Sequence, residues 1–242
     1  MKLIKLDAID STNEFLKGLS NKQQLENFTI VTAESQTKGK GQMGAVWASQ
    51  ESKNLIMSIL IKDFLKDIYQ IFDLNVVFAL AVIEVLESYN VPNLSIKWPN
   101  DIMSYNKKIG GILIENTIKS DGTIFSIAGL GLNVNQTNFE NLPKASSLAM
   151  VCNTEFNREE LLFSISNAIK KNVVKCKKDA ALLWEMYILK LFKKGLPMPF
   201  SDQSDHRFMG IIQGVSVEGK LQILLEDDRI KEYDIKEIQM LY

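Results

Sequence analysis

Two apolar runs, KIGGILIENTI (residues 108–118) and TIFSIAGLGLNV (123–134), stand almost back to back, with Ser120, Asp121 and Gly122 between them. Aliphatic and β-branched residues dominate both, and the residues between are turn formers, so the pair predicts a β-hairpin at the centre of a sheet. LSIKWP (94–99) reads as a preceding strand, and KLIKL (2–6), FTIVTA (28–33) and NLIMSILI (54–61) as earlier ones. Between them lie helical patterns. STNEFLKGL (11–19) is short, with Ser11 or Asp10 as its cap and Glu14 completing a capping-box spacing. From Asp67 to Tyr89, Ile68, Ile71, Phe72, Val76, Leu80, Ile83 and Leu86 recur near helical spacing, and Pro92 follows the stop. The rhythm predicts an α/β (α+β) fold with a sheet at its centre.

Further helices are expected over 158–178 and 180–194, ending at Gly195 and Pro197. Beyond them FMGIIQGVSV, GKLQILLED and RIKEYDI read as short strands of a small antiparallel barrel. The expected division is therefore 1–194 and 195–242.

A chain of 242 residues with 46% apolar content can bury a sizeable active site, and a net charge of -1 supplies no broad basic face for nucleic acid. Lys5, Asp7 and Asp10 interrupt the apolar start, unlike a signal peptide. The most apolar stretch, 71–86, is too short to span a bilayer and contains Asp73, Asn75 and Glu84. No membrane role is expected. Cys152 and Cys176 have no metal-ligand spacing and fit structural free thiols in a cytoplasmic protein. His206, alone, excludes a multi-histidine metal site.

The stretch TKGKGQMGAVW (37–47) matches G-x-G-x-x-G at Gly39, Gly41 and Gly44. A dinucleotide loop follows a strand directly and opens a helix. Here six residues, 33–38, separate FTIVT from Gly39, and the next regular segment reads as a strand. Val46 and Lys62 imitate a kinase glycine loop and its strand lysine, but H-R-D and D-F-G are missing. Two readings remain: an exposed loop, or an anion-binding concavity of backbone N–H groups around Gly39 to Gly41, with Lys40 adding charge and Trp47 a flat face. KWPND (97–101) is a turn or a site, and Lys108 in KKIGGIL is a surface lysine or a functional cation. GLGLNVN (129–135) lets a ligand approach the backbone closely.

Taken in order, DSTNEFL, ESQTKGKGQMGAVW, NLIMSI, KWPNDI, KKIGGILIE and GLGLNVN resemble the motif series of bacterial biotin protein ligases. The resemblance implies a mixed-sheet domain of the class II aminoacyl-tRNA synthetase type, with a C-terminal SH3-like barrel. It implies ligation of biotin, through biotinyl-5'-AMP made from Mg-ATP, to a lysine of the biotin carboxyl carrier protein of acetyl-CoA carboxylase. ATP and Mg²⁺ are then reaction components, with no tightly bound cofactor. Some ligases carry an N-terminal DNA-binding domain; this chain begins at once with the catalytic motifs, so an enzyme without repressor function is expected. Family members often dimerise, which leaves a homodimer open.

By the same resemblance Lys108 and Lys40 are the catalytic cations. Ser11, Thr12, Asn13, Gln36, Gly39, Lys40, Gly41, Gln42, Lys108, Gly111 and Gly131 would bind biotin. Trp47, Asn100, Asp101 and Asn133 would bind ATP, with Asp101 either holding Mg²⁺ or orienting a neighbour. One departure stands out. Lys40, Gln42 and Ala45 occupy positions where the family loop carries arginines, and lysine does not reproduce a bidentate fork, so weaker retention of biotinyl-AMP is expected. The rivals are a lipoate or octanoate ligase or transferase on the same fold, and a biotin-binding regulatory protein with weak ligation.

Overall fold

The computed structural model describes residues 2–65, 67, 70–119, 122–140 and 142–242. Strands β1 (Leu3–Ile9), β2 (Ile30–Gln36), β3 (Leu55–Lys62), β4 (Leu94–Lys97), β5 (Asp101–Ser104), β6 (Lys107–Ile118) and β7 (Ile124–Leu132) form one sheet. Their order is β1-β2-β3-β7-β6-β5-β4. β1 and β2 pair in parallel and the other neighbours are antiparallel, which makes the sheet mixed as expected. The predicted hairpin is β6–β7, in register from Ile118 opposite Ile124 to Gly110 opposite Leu132. Gly122 has φ +81°, the conformation its turn asks of glycine, while Ser120 and Asp121 lie outside the described residues.

Helix α2 (Ile71–Ser88) is apolar almost all round because both of its sides are covered. It packs on β4 and β6 and, on its other side, against α4 (Arg158–Lys178) and α5 (Ala180–Leu189). A short helix, α3 (Leu148–Cys152), precedes this pair. α1 (Thr12–Lys22) lies on the opposite face of the sheet, where Leu16 packs with Val31, Leu60 and Ile127. α1 covers only part of that face, and the rest floors a cavity.

Several boundaries differ from expectation. α2 begins at Ile71; Ile68, from the expected first turn, lies outside the described residues. α5 stops at Leu189, short of 194, because the chain leaves it to pair with β4: Ile96 N donates to Lys190 O at 2.8 Å and Phe192 N to Ile96 O at 2.8 Å. Those bonds cover a sheet edge that continued helix would leave open. Ser11 caps α1 by accepting from Glu14 N, but the Glu14 carboxylate pairs with Lys40, so the reciprocal half of the capping box does not form. Only Thr37 and Lys38 lie between β2 and Gly39, so the long gap expected before the loop is absent. The dinucleotide reading fails instead on the C-terminal side of the loop, where a 3-10 turn at Gln42–Gly44 leads to β3 rather than to a helix.

The C-terminal part is a five-stranded antiparallel sheet of β8 (Pro197–Asp202), β9 (Arg207–Val215), β10 (Leu221–Leu225), β11 (Ile230–Tyr233) and β12 (Ile238–Met240). β8 and β12 add to the three strands read from the sequence, and the order is β11-β10-β9-β8-β12. No helix among the described residues is long and apolar enough to cross a membrane. Burial pushes the Cys176 thiol up to about 11, with Asp73 adding to the shift, as suits an unreactive structural thiol.

Candidate active site

A cavity of about 290 Å³ opens on the sheet face that α1 leaves bare. Its floor is β6 and β7, where Gly111, Gly129 and Gly131 leave the backbone uncovered. Two of these glycines are required by close approach. A Cβ on Gly129 would stand 2.5 Å from Asn13 Oδ1, and one on Gly131 only 2.4 Å from the Trp47 ring.

One end of the cavity is polar. The start of α1 brings in Ser11, Thr12 and Asn13, all buried, and β2 ends there with Gln36. Thr12 N donates to Gln36 Oε1 at 2.8 Å, and the Thr12 hydroxyl lies 3.1 Å from the same oxygen. Ser58 on β3 lies 2.7 Å from Thr12 Oγ1 and donates to Asn13 Oδ1 at 2.6 Å. Asn13 Nδ2 in turn donates to Glu115 Oε2 at 2.8 Å and to Leu113 O at 3.3 Å. Each amide thus has a fixed orientation in surroundings where an unpaired polar group would be costly. Ser58 and Glu115 hold this end in place; they lie in the NLIMSI and KKIGGILIE stretches but are not among the expected site residues.

The other end is cationic. β4 and β5 form a tight hairpin through KWPND, pairing Lys97 with Asp101 and Asp101 with Gly111 of β6. Lys108 Nζ lies 2.5 Å from Asp101 Oδ1 and 5.7 Å from the centre of the Trp47 ring, a cation–π arrangement. Lys97 approaches Asp101 at 3.9 Å. Burial lowers the Lys97 pKa, with Asp101 opposing and Lys108 and Lys144 adding to the shift. A magnesium carboxylate ligand must offer oxygen free of competing cations. Asp101 already faces two ammonium groups. The donor set fits Asp101 as the partner of Lys108 rather than as a metal ligand.

Asn100 lines the cavity but its side-chain amide closes the turn, donating to Ile112 O at 2.6 Å, while its backbone carbonyl accepts from Ile112 N. Asn133 is buried outside the cavity lining. Its side chain donates to Ser146 O at 2.9 Å, and its role is to hold the segment after β7.

The glycine loop folds over the cavity as a narrow hairpin. Lys40 bridges to Val46, Trp47 N donates to Gly39 O at 2.9 Å, and Gly41 N donates to Ala45 O at 2.7 Å. The Gly41 N–H is therefore committed to the hairpin and does not belong to the anion-binding concavity expected there. A Cβ on Gly39 would meet Trp47 O at 2.4 Å, which explains glycine at the hairpin's base. Lys40, Gln42 and Ala45 line the cavity, and the Lys40 ammonium lies 2.7 Å from Glu14 Oε1. The hydrogen bond from Lys40 holds the Glu14 carboxyl below its ordinary pKa, and Glu14 raises that of Lys40. Both side chains are about half exposed, and solvent screens such a pair strongly, so an incoming anion can displace Glu14. Trp47 Nε1 is buried without a partner. Ile235 and Lys236, between β11 and β12, complete the wall from the C-terminal sheet, and Lys236 Nζ donates to Met43 O at 3.0 Å.

The cleft is thus covered by a glycine hairpin, with a hydrogen-bonded polar cluster at one end and Lys108 on Asp101 at the other. Residues 6–133 match the model of the biotin/lipoate A/B protein ligase family, and the chain belongs to that family. The structure of biotin protein ligase from Aquifex aeolicus in complex with biotin and ATP is similar, with a TM-score of 0.80 and 30% identity over 99% of this chain and 98% of that one. Bifunctional ligase/repressor BirA of Bacillus spizizenii is 32% identical over 196 residues, which cover 77% of this chain and 59% of that protein. The biotin--[acetyl-CoA-carboxylase] ligase of Mycobacterium tuberculosis is 33% identical over 122 residues, 49% of this chain and 44% of that protein. The chain thus spans under two thirds of the length of these curated relatives.

Proposed function

We propose that this chain activates biotin with Mg-ATP and passes the biotinyl group to a lysine of a biotin carboxyl carrier protein, such as that of acetyl-CoA carboxylase. The observation that carries the reading is the polarity of the cavity. Thr12, Asn13 and Gln36, fixed by Ser58 and Glu115, lie at one end, and Lys108 on Asp101 at the other. A ureido ring, with two N–H donors and one strong acceptor, needs oriented polar partners, which an alkyl chain or dithiolane does not.

The chemistry follows from charge. A biotin carboxylate oxygen attacks the α-phosphorus, pyrophosphate leaves, and biotinyl-AMP is the product. The carrier lysine, as a free amine, attacks the acyl carbon, and AMP leaves with the bonding pair. Both steps build negative charge on acyl and phosphoryl oxygens, so a fixed cation lowers both barriers. In this reading Lys108 serves those oxygens and Lys40 joins it after exchanging Glu14 for the ligand. Ser11, Gly39, Gly41, Gln42, Gly111 and Gly131 shape the biotin side, and Trp47, Asn100, Asp101 and, from behind, Asn133 the nucleotide side. Mg²⁺ arrives as the counterion of the triphosphate.

The test is pyrophosphate release with biotin, lipoate and octanoate offered separately. Release with biotin is expected, at least about tenfold faster than with the other two, as suits a site whose polar groups go unpaired by the wrong ligand. Preference for lipoate or octanoate would move the substrate assignment, and biotin retained without ATP consumption would make the chain a binder.

A further inference from the structure

Three lysines line the cavity, Lys40, Lys108 and Lys236, and their electrostatic situations differ. Lys40 lies 2.7 Å from the Glu14 carboxylate and Lys108 2.5 Å from that of Asp101. Among the described residues Lys236 has no carboxylate within ion-pair distance, and its hydrogen bond goes to a neutral carbonyl, Met43 O. An ammonium has three protons to donate, so this contact leaves both the charge and donor capacity unmatched. Lys236 is exposed, and among the described residues it is the cavity-lining lysine that no carboxylate neutralises.

The position of Lys236 is set by the C-terminal sheet. It sits in the turn between β11 and β12, where Asp234 N donates to Glu237 Oε2 at 2.8 Å and Glu237 N to Asp234 O at 3.1 Å. Its φ is +73°, a left-handed conformation that a long side chain adopts at some cost. The turn presents Lys236 to the tip of the glycine hairpin, 193 residues away in sequence.

We propose that Lys236 is an anion-binding residue of the site, contributed by the C-terminal sheet, whose ligand is the phosphate portion of the nucleotide. For the identity of that ligand the proposal rests on the biotin ligase reading. Lys40 must first give up a carboxylate and Lys108 shares its charge with Asp101, whereas Lys236 gives up only a carbonyl. Gln42 and Ala45 carry no charge, so Lys236 is the cation beside the tip of the hairpin. The same ammonium touches Met43, so phosphate occupancy and the position of the hairpin are linked through one side chain.

Three full-length variants separate the cation from a simple latch. Lys236→Ala loses the charge and the contact with Met43, Lys236→Gln keeps a donor for Met43 O without the charge, and Lys236→Arg keeps both. The measurement is calorimetric Kd for Mg-ATP and for inorganic pyrophosphate, with the Kd for biotin alone as a fold control. Lys236→Ala and Lys236→Gln are each expected to weaken both anions about five- to tenfold, an effect that shrinks as salt is raised. Lys236→Arg stays within about twofold of the parent, and biotin binding is unchanged in all three. A Lys236→Gln protein that binds both anions like the parent would reduce Lys236 to a latch, and an unaltered Lys236→Ala would remove it from the site. These binding constants do not depend on turnover, so parent protein that binds anions but makes no adenylate would sink the ligase reading and not this one.

Discussion

Lys108→Ala is expected to lower biotin-dependent ATP–pyrophosphate exchange about 10²- to 10³-fold, the usual loss when a donor aimed at developing negative charge is removed. The ammonium is held 2.5 Å from Asp101 on the adjacent strand and over the Trp47 ring, so its position is set before any ligand enters. That preorganisation is what water cannot supply. Lys108 is partly exposed and its backbone N–H and carbonyl pair with Lys144 and Ser146, so the alanine variant keeps the strand and should fold normally. Biotin binding in the absence of ATP should fall far less than exchange does. A variant with near-normal exchange would show that the cation acts elsewhere.

Gly131→Ala is the second large effect. Its Cβ would lie 2.4 Å from Trp47 Cε2, well inside contact distance. Gly131 cannot retreat, because β7 is paired on both sides, with Ile56 of β3 and Gly111 of β6. The indole has to leave, and the hairpin behind it loses its seat on the sheet. Overpacking of this kind costs about 1 to 3 kcal/mol, or about five- to 150-fold in the affinity of a ligand that needs the closed hairpin. Exchange should fall by that factor while thermal stability changes little, since the indole is displaced outward. If Gly131→Ala matches the parent in exchange, Trp47 does not form part of the working site.

How much of this is legible in the sequence depends on how local each feature is. The hairpin β6–β7 and helix α4 are readable because turn residues and apolar spacing act within a few residues. Which strands lie side by side is not, since the parallel pairing of β1 with β2 depends on packing between distant segments. α5 ends early and β2 runs late because edge pairing and the loop base override local preference. In the site, the cationic end is legible: KWPND and KKIGGIL are strand ends joined by short turns, which bring Asp101 to Lys108. Ser58 and Glu115 lie in motif stretches, but their contacts with Asn13 are not legible, because they form only when α1 is brought onto β3 and β6. Glu14 carries a plausible capping signal that conceals its ion pair with Lys40. Lys236 gives no signal, being a lysine in a charged turn until the chain folds it against Met43.

The claim on which the functional reading depends is that this cavity forms and shelters a mixed anhydride. Its direct measurement is a single turnover with excess biotin and ATP labelled in the α-phosphate, without any carrier protein. The expected result is formation of labelled biotinyl-AMP, partly bound and partly released into solution, all of it converted by hydroxylamine to biotin hydroxamate and labelled AMP. Bound biotin alongside intact labelled ATP would contradict it.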